Sequence, residues 1–275
     1  MAGTMKTALI DVGELGWSLY LSAHARHLVQ KGEQVIILTY PERVPLYPFV
    51  NEVVLIPDIC NLPKQCLGFY GSDRKALREK FKAILPDDAA LPEWFEFDCL
   101  WNFQDKAVYE PYPVVDEEAG PRILLFPRCR EHSAFSMRNL PRSFWVALAV
   151  ALVKEFPEAI ITAVGTKEGA YYLNEMDGVG NFDNRVGTSR SIQAVIDLCE
   201  AAMGAVGSAS SLPKLSMNQR VPTFVVGHER ERVKKENFAG ARLGFYDVGI
   251  DSYERIDSDD CISKIIRFLN GENVS

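Results

Sequence analysis

Length, composition and charge narrow the class of protein before any motif is considered. The 275 residues exceed one typical domain and fit two compact domains of roughly 100–150 residues each. Hydrophobic residues make up 47% of the chain and charged residues 24%, as in soluble globular proteins, and the net charge of −7 argues against a nucleic-acid-binding protein.

The first half of the chain alternates between apolar strands and helices. Strands are predicted at 7–12, 35–39, 53–56 and 98–103, and helices from about 18 to 30 and at 72–85. Gly32 stands where the first helix should end, and Ser72 where the second should begin. The N-terminus lacks the apolar core of a signal peptide, and no apolar run reaches the ~18 residues that span a membrane. We therefore expect a cytoplasmic location.

A proline-rich, acidic stretch at 105–121 is the best candidate for a linker. After it the alternation resumes, with strands predicted at 122–126, 159–164, 203–206, 222–226 and 244–248 and helices at 141–156, 191–202, 212–218 and from about 257. This pattern predicts an α/β fold of two Rossmann-like domains that face each other across a cleft. We assign them to residues 1–118 and 119–275.

The turn after the first strand reads Asp11-Val12-Gly13-Glu14-Leu15-Gly16. It does not match the G-x-G-x-x-G dinucleotide fingerprint, and no well-placed acidic residue follows the second strand. Two interpretations stay open: a tight turn that lets the strand pack closely on the helix, or a functional loop. In a functional loop, Asp11 or Glu14 would act as a general base.

Arginines are concentrated after the strand at 122–126. Arg128, Arg130, Arg138 and Arg142 fall between the end of that strand and the next helix. Arginine suits bidentate contacts to phosphate, whereas the alternative is a solvated loop with surface ion pairs. We favour the ligand-binding interpretation because ligands bind at the carboxyl ends of parallel strands.

The turn Gly207-Ser208-Ala209-Ser210-Ser211 joins a strand directly to a short helix that carries Lys214. Such a turn aims backbone N–H groups and a positive helix end at one point, which favours a phosphate. Ser208, Ser210, Ser211 and Lys214 are therefore candidate phosphate ligands. The alternative is that the serines only cap the helix and that Lys214 points into solvent.

Metal binding is not indicated by the sequence. The six cysteines form no C-x-x-C pair, and none of the four histidines lies at metal-ligand spacing from a cysteine pair. We expect no metal site and no cofactor.

Three segments together resemble the heptosyltransferase-like glycosyltransferases, which have the glycosyltransferase B fold. Gly13-Glu14-Leu15-Gly16 looks like the family's G-x-L-G-D loop. Arg130…Ser136-Met137-Arg138-Asn139-Leu140-Pro141…Phe144-Trp145 looks like its Ser/Lys-rich loop, W-P motif and following helix. Ser191-Ile192…Ala202, Gly207–Leu212 and Val221-Pro222-Thr223 look like its S-L-x-E helix, V-G-x-D-[ST]-G-x-x-H loop and V-P-T strand. The matches follow the family's order and span most of the chain.

The resemblance implies transfer of a sugar from a nucleotide diphosphate sugar to a carbohydrate or other hydroxyl acceptor, with inversion and without a metal. Gly13 and Gly16 would then lie in a substrate-binding loop. The leaving diphosphate would be stabilised by cationic and hydroxyl groups, namely Arg130, Arg138, Ser210, Ser211 and Lys214. Nucleic acid is not an expected partner, and the resemblance leaves room for peripheral contact with a membrane.

The chain departs from the family at several functional positions. The family's catalytic Asp corresponds to Trp17, and the Asp, Gly and His of its phosphate loop correspond to Ala209, Ser211 and Lys214. Three explanations stay open: Glu14 or Asp11 acts as the base, the acceptor differs, or catalysis is lost and a nucleotide-sugar-binding or scaffold protein remains. Another enzyme on the same plan, such as a nucleotide-sugar epimerase, is a further alternative.

Overall fold

The chain folds into two units, each built on its own parallel sheet. The computed structural model describes residues 5–11, 15–56, 79, 81–91, 110–114, 121–130, 138–188, 191–249 and 253–274. The units are Met1–Tyr112 and Pro113–Ser275. The boundary expected after residue 118 lies among residues 115–120, outside the described part of the chain, and stays a prediction.

The sheet of the N-terminal unit has the strand order β3-β2-β1-β4, with every described pair parallel. Its elements are β1 (Lys6–Asp11), α1 (Leu15–Gln30), β2 (Val35–Thr39), a 3₁₀ helix (Pro41–Leu46), β3 (Glu52–Leu55) and β4 (Ala89–Ala90). All five residues of β2 are buried, as expected for a parallel strand covered on both faces. Ile10, Leu38, Ile56 and Phe81 belong to the core of this unit.

Helix α1 ends at a glycine in the left-handed conformation. Gly32 has φ of +85°, which costs glycine little because it has no Cβ. The Glu33 N–H donates to the carbonyl of Leu28, and the Gly32 N–H donates to that of Val29. These bonds close the last turn of the helix and confirm the predicted C-terminal cap.

The sheet of the C-terminal unit has the order β10-β9-β8-β5-β6-β7, and all its pairs are parallel. The strands are β5 (Arg122–Phe126), β6 (Ile160–Ala163), β7 (Phe182–Asn184), β8 (Ala202–Ser208), β9 (Thr223–Gly227) and β10 (Leu243–Asp247). The helices are α2 (Arg142–Glu155), α3 (Ile192–Glu200), α4 (Ser211–Asn218), α5 (Arg230–Glu236) and α6 (Ser258–Leu269), with 3₁₀ turns at Asn174–Met176 and Tyr253–Arg255. The chain winds outward from β5 to β7 and then returns to β8, so strand order reverses between β5 and β8.

Helices cover both faces of this sheet. On one face, Trp145 of α2 and Phe268 of α6 pack in one core with Val206 and Phe224 of the strands. On the other face, Met217 of α4 packs in a separate cluster that includes Val225 and Val233. The α/β fold with parallel sheets that the alternation predicted is thereby confirmed.

Most predicted elements agree with the structure to within three residues at each end. Ser191 and Asp257 cap their helices, since their side chains accept from the N–H groups of Ala194 and Asp260. Strand β8 is longer than predicted and reaches Ser208.

Among the described strands and α-helices, β4, β7 and α5 were not predicted. The strands are only two and three residues long, and α5 carries one buried apolar residue, Val233, so none has a clear apolar period. The predicted strand at 98–103, Ser72, and most of the 72–85 helix and the 105–121 linker lie outside the described residues.

Candidate functional site

The carboxyl ends of β5 and β8 meet at the point where strand order reverses. Phe126, the last residue of β5, pairs with Gly207, the penultimate residue of β8. In open parallel sheets this reversal point is where ligands bind. Both of the C-terminal segments that the sequence marked as phosphate-binding leave the sheet here: the arginine loop after β5 and the serine turn after β8.

Asn139 fastens the arginine loop to the start of α2. Its side-chain oxygen accepts hydrogen bonds from Arg128 Nη1 at 2.6 Å and from the Arg130 N–H at 3.1 Å. Its Nδ2 donates to the Arg130 carbonyl at 2.8 Å. Arg128 is buried and its guanidinium binds the loop itself, whereas Arg130 is half-buried. No role for Asn139 was predicted from the sequence. The feature that could have indicated one is an amide side chain within an arginine-rich loop.

Arg138 lies close to groups from two other parts of the chain. Its Nη2 is 3.6 Å from Oε2 of Glu229, which follows β9. Burial raises the pKa of Tyr253 to about 12, and the positive charges of Arg138 and Arg128 oppose that rise. The charge of Arg138 also lowers the pKa of Lys214, although burial is the larger cause. The charge of Arg138 thus acts on the pKa of both Tyr253 and Lys214.

The serines of the turn after β8 differ in burial. Ser208 is fully buried, and its hydroxyl has no hydrogen-bond partner among the residues that the structure describes. Ser210 is the N-cap residue of α4, but its side chain makes no capping hydrogen bond, and Ser211 opens the helix half-buried. The side chain of Ser210 therefore does not cap the first N–H groups of α4, and the N-terminus of a helix is a position that favours an anion.

Gly207 is required for α4 to approach the sheet. A Cβ at this position would lie 2.5 Å from Cγ of Pro213 and 3.1 Å from Cβ of Phe126. The absence of a side chain lets the first turn of α4 pack directly on the end of β8. This close approach sets the position of the α4 N-terminus at the carboxyl edge.

Lys214 is buried in an ion pair within the C-terminal unit. Its Nζ lies 2.9 Å from Oε1 of Glu236, at the end of α5. Burial lowers the pKa of the ammonium, and the adjacent carboxylate opposes that change. The alternative that Lys214 points into solvent does not hold, and its phosphate-binding role stays a prediction.

Asp11 lies at the end of β1 in a buried network of hydroxyl groups. It accepts hydrogen bonds from Ser18 Oγ at 2.8 Å, Thr39 Oγ1 at 3.2 Å and Tyr47 Oη at 2.7 Å. Burial raises the pKa of Asp11, and the charge of Arg43 and the three hydroxyl groups oppose the rise. The carboxylate therefore links β1 to α1, to β2 and to the segment after the 3₁₀ helix.

The other N-terminal candidates divide between described and undescribed residues. Gly16 lies half-buried in α1, and Gly13 and Glu14 lie outside the described residues. Trp17, at the position of the family's catalytic Asp, is part of α1, and its ring centroid lies 5.5 Å from that of Tyr20.

The residues that the structure describes contain neither a candidate metal cluster nor a membrane-spanning helix. No group of three or more His, Cys, Asp or Glu there is arranged to hold a metal ion. No helix of those ranges has the length and apolar character to cross a membrane. The expectation of a metal-independent protein remains a prediction.

Comparison with known proteins finds similarity in structure but not in sequence. No protein-family model matches the chain, and no curated protein matches it. A glycosyl transferase family 9 structure from Veillonella parvula DSM 2008 is 8% identical with a TM-score of 0.66, covering 98% of this chain and 99% of that chain. The E. coli heptosyltransferase WaaC with ADP is 12% identical with a TM-score of 0.61, covering 96% and 100%. The E. coli ADP-heptose lps heptosyltransferase II is 18% identical with a TM-score of 0.58, covering 97% and 99%.

The chain has the fold of the glycosyltransferases that its motifs resemble. The match extends over nearly the full length of both chains, so it covers both predicted Rossmann-like domains. The resemblance drawn from three short motifs is thereby confirmed at the level of the fold.

Proposed function

We propose that this protein is a glycosyltransferase that moves a sugar from a nucleoside diphosphate sugar to an acceptor hydroxyl, with inversion and without a metal. Two lines of support combine: the fold is that of heptosyltransferases, one of which is solved with ADP, and the C-terminal unit carries groups suited to a diphosphate at its strand-order reversal. The N-terminal unit would bind the acceptor.

The observation that carries the proposal is the convergence at the carboxyl edge of the C-terminal sheet. Arg138, in the loop after β5, lies 3.6 Å from Glu229, in the loop after β9, and the half-buried Ser210 and Ser211 begin α4 at the end of β8. A helix N-terminus together with arginine is a favourable environment for phosphate oxygens. This convergence is a property of the fold, because the participating residues come from three separate loops.

The chemistry of transfer gives each of these groups a task. When the sugar leaves, negative charge grows on the diphosphate, and preorganised donors stabilise that charge. Arg130, Arg138 and the N–H groups of α4 would donate to its oxygens, with Ser210 and Ser211 as hydroxyl donors. A site of this kind neutralises the leaving group without a divalent cation.

The acceptor hydroxyl must lose a proton, and we assign that step to Glu14 rather than to Asp11. Asp11 is 3% exposed and already accepts hydrogen bonds from three hydroxyl groups. A general base needs to reach the hydroxyl that it deprotonates, so an enclosed carboxylate is poorly suited. Glu14 follows Asp11 by three positions and is the next carboxylate in the chain.

A binding protein without catalysis is the second candidate, and the position of Trp17 favours it. An indole in α1, packed near Tyr20, stands where the family has its catalytic Asp. Slow hydrolysis of a bound donor in the absence of acceptor would support the enzyme. Tight donor binding with an intact sugar after long incubation would support the binding protein.

Titration calorimetry with ADP, UDP and GDP, and with their sugar conjugates, tests the diphosphate site. We expect at least one nucleoside diphosphate to bind and Arg138→Gln to weaken it about tenfold, as expected for the loss of one charged hydrogen bond. Arg142→Gln is the matched control, since Arg142 is the first residue of α2, four positions after Arg138, but binds the Tyr172 carbonyl and Glu175. Absence of binding to every nucleotide would refute the proposal.

A further inference from the structure

Five charged side chains form a continuous chain of alternating sign along α5. Arg138 Nη2 lies 3.6 Å from Glu229 Oε2, which lies 3.0 Å from Arg232 Nη1. Arg232 Nε lies 2.9 Å from Glu236 Oε1, and the same oxygen lies 2.9 Å from Lys214 Nζ. We call these five residues the α5 charge chain. Its two ends, Arg138 and Lys214, are two of the cations that the sequence predicts to bind phosphate.

The α5 charge chain is held by a helix that the apolar pattern of the sequence did not predict. Glu229 is the N-cap residue of α5, and Arg232 and Glu236 follow at spacings of three and four residues, which places them on one helical face. Val233 and Glu236 are buried, so the helix is fixed against the C-terminal unit. The two carboxylates are therefore presented to Arg138 and Lys214 by a packed element.

The net charge of the α5 charge chain affects which anions bind at the carboxyl edge of the C-terminal sheet. Three cations and two carboxylates leave one net positive charge, where the cations alone would give three. Coulombic attraction scales with the product of the charges, so a strongly cationic site would favour the most highly charged phosphate compound. A nucleoside diphosphate sugar carries less charge than the free diphosphate that leaves, and a triphosphate carries more.

We propose that Glu229 and Glu236 determine the charge selectivity of the phosphate site. By reducing the field of Arg138 and Lys214, they prevent the diphosphate product and triphosphates from displacing the less charged donor. The same contacts hold both cations in place. This inference rests on the proposed function, because it assigns a selectivity to the same phosphate-binding edge.

The test measures affinity against ligand charge, with probes that carry no nucleobase. Calorimetry with inorganic phosphate, pyrophosphate and tripolyphosphate is run on the full chain and on Glu229→Gln. We expect Glu229→Gln to bind all three more tightly and to raise the ratio of tripolyphosphate to pyrophosphate affinity about two- to fivefold at low salt. Because Glu229 is partly exposed, its replacement spares the buried Lys214–Glu236 pair.

Two control variants separate charge from position. Glu231→Gln removes a carboxylate of the same helix that pairs with Lys234 on the surface, outside the α5 charge chain, and should leave the affinity ratio unchanged. Glu229→Asp keeps the charge and should keep the wild-type ratio.

The results distinguish a failure of this inference from a failure of the proposed function. A Glu229→Gln ratio equal to that of Glu231→Gln, or a uniform loss of affinity for all three anions, would overturn the inference and leave the proposed function standing. If wild type binds a nucleoside diphosphate but none of the three anions, the inference fails alone. If it binds neither, the proposed function fails and the inference with it.

Discussion

Replacement of Asp11 distinguishes a structural anchor from a catalytic base. We expect Asp11→Asn to fold with a loss of less than about 1.5 kcal/mol, because the amide keeps one acceptor oxygen and burial already favours a neutral group at this position. Asp11→Ala removes the acceptor for Ser18, Thr39 and Tyr47 together. Thr39 and Tyr47 keep longer contacts, at 3.3 Å, to the carbonyls of residue 11 and Ser18. At about 1 kcal/mol for each of the three hydrogen bonds lost, the loss of unfolding free energy is about 3 kcal/mol.

Urea unfolding measures both losses, and donor turnover measures the catalytic consequence. Under our assignment Asp11→Asn retains turnover within a few fold, whereas Glu14→Gln abolishes transfer and retains diphosphate binding. A folded Asp11→Asn variant that loses transfer by a factor of about a thousand, with Glu14→Gln still active, would refute the reasoning and make Asp11 the base.

Two further predictions concern pH and packing. Burial, and then the charges of His27 and Lys31, lower the pKa of His24 from 6.5 to about 4. On acidification the unfolded chain therefore binds a proton at this histidine before the folded protein does. The contribution of neutral His24 to the free energy of unfolding is complete above pH 6.5 and is lost as the pH falls towards 4. This loss of unfolding free energy is about 3 kcal/mol, and it should be absent in His24→Gln. Equal pH dependence of the unfolding free energy in wild type and variant would contradict this prediction. Gly207→Ala forces Cβ against Pro213, so it should lower the free energy of unfolding by about 1–3 kcal/mol and weaken pyrophosphate binding. Gly180→Ala is the control in thermal unfolding and in binding, because a Cβ there meets nothing within 4 Å.

Local signals in the sequence were sufficient for the strands and helix ends but not for long-range partners. The apolar run at 122–126 became β5 and the serine at 191 became a helix cap, because each depends on neighbours within a few residues. The partner of Lys214 lies on α5, a helix with one buried apolar side chain, so no periodicity marked it. The enclosure of Asp11 depends on Tyr47, which follows a 3₁₀ helix and whose approach to the strand end is a tertiary property.

The groups of the proposed phosphate site differ in burial and in the partners of their charges. Lys214 is buried against Glu236, so its charge is largely balanced within the protein. Half-buried groups at this edge include Arg130, Arg138, Ser210 and Ser211, and the N–H groups of α4 add partial positive charge. Affinity for a diphosphate should therefore come mainly from α4 and Arg138, with Lys214 supporting the helix that presents them.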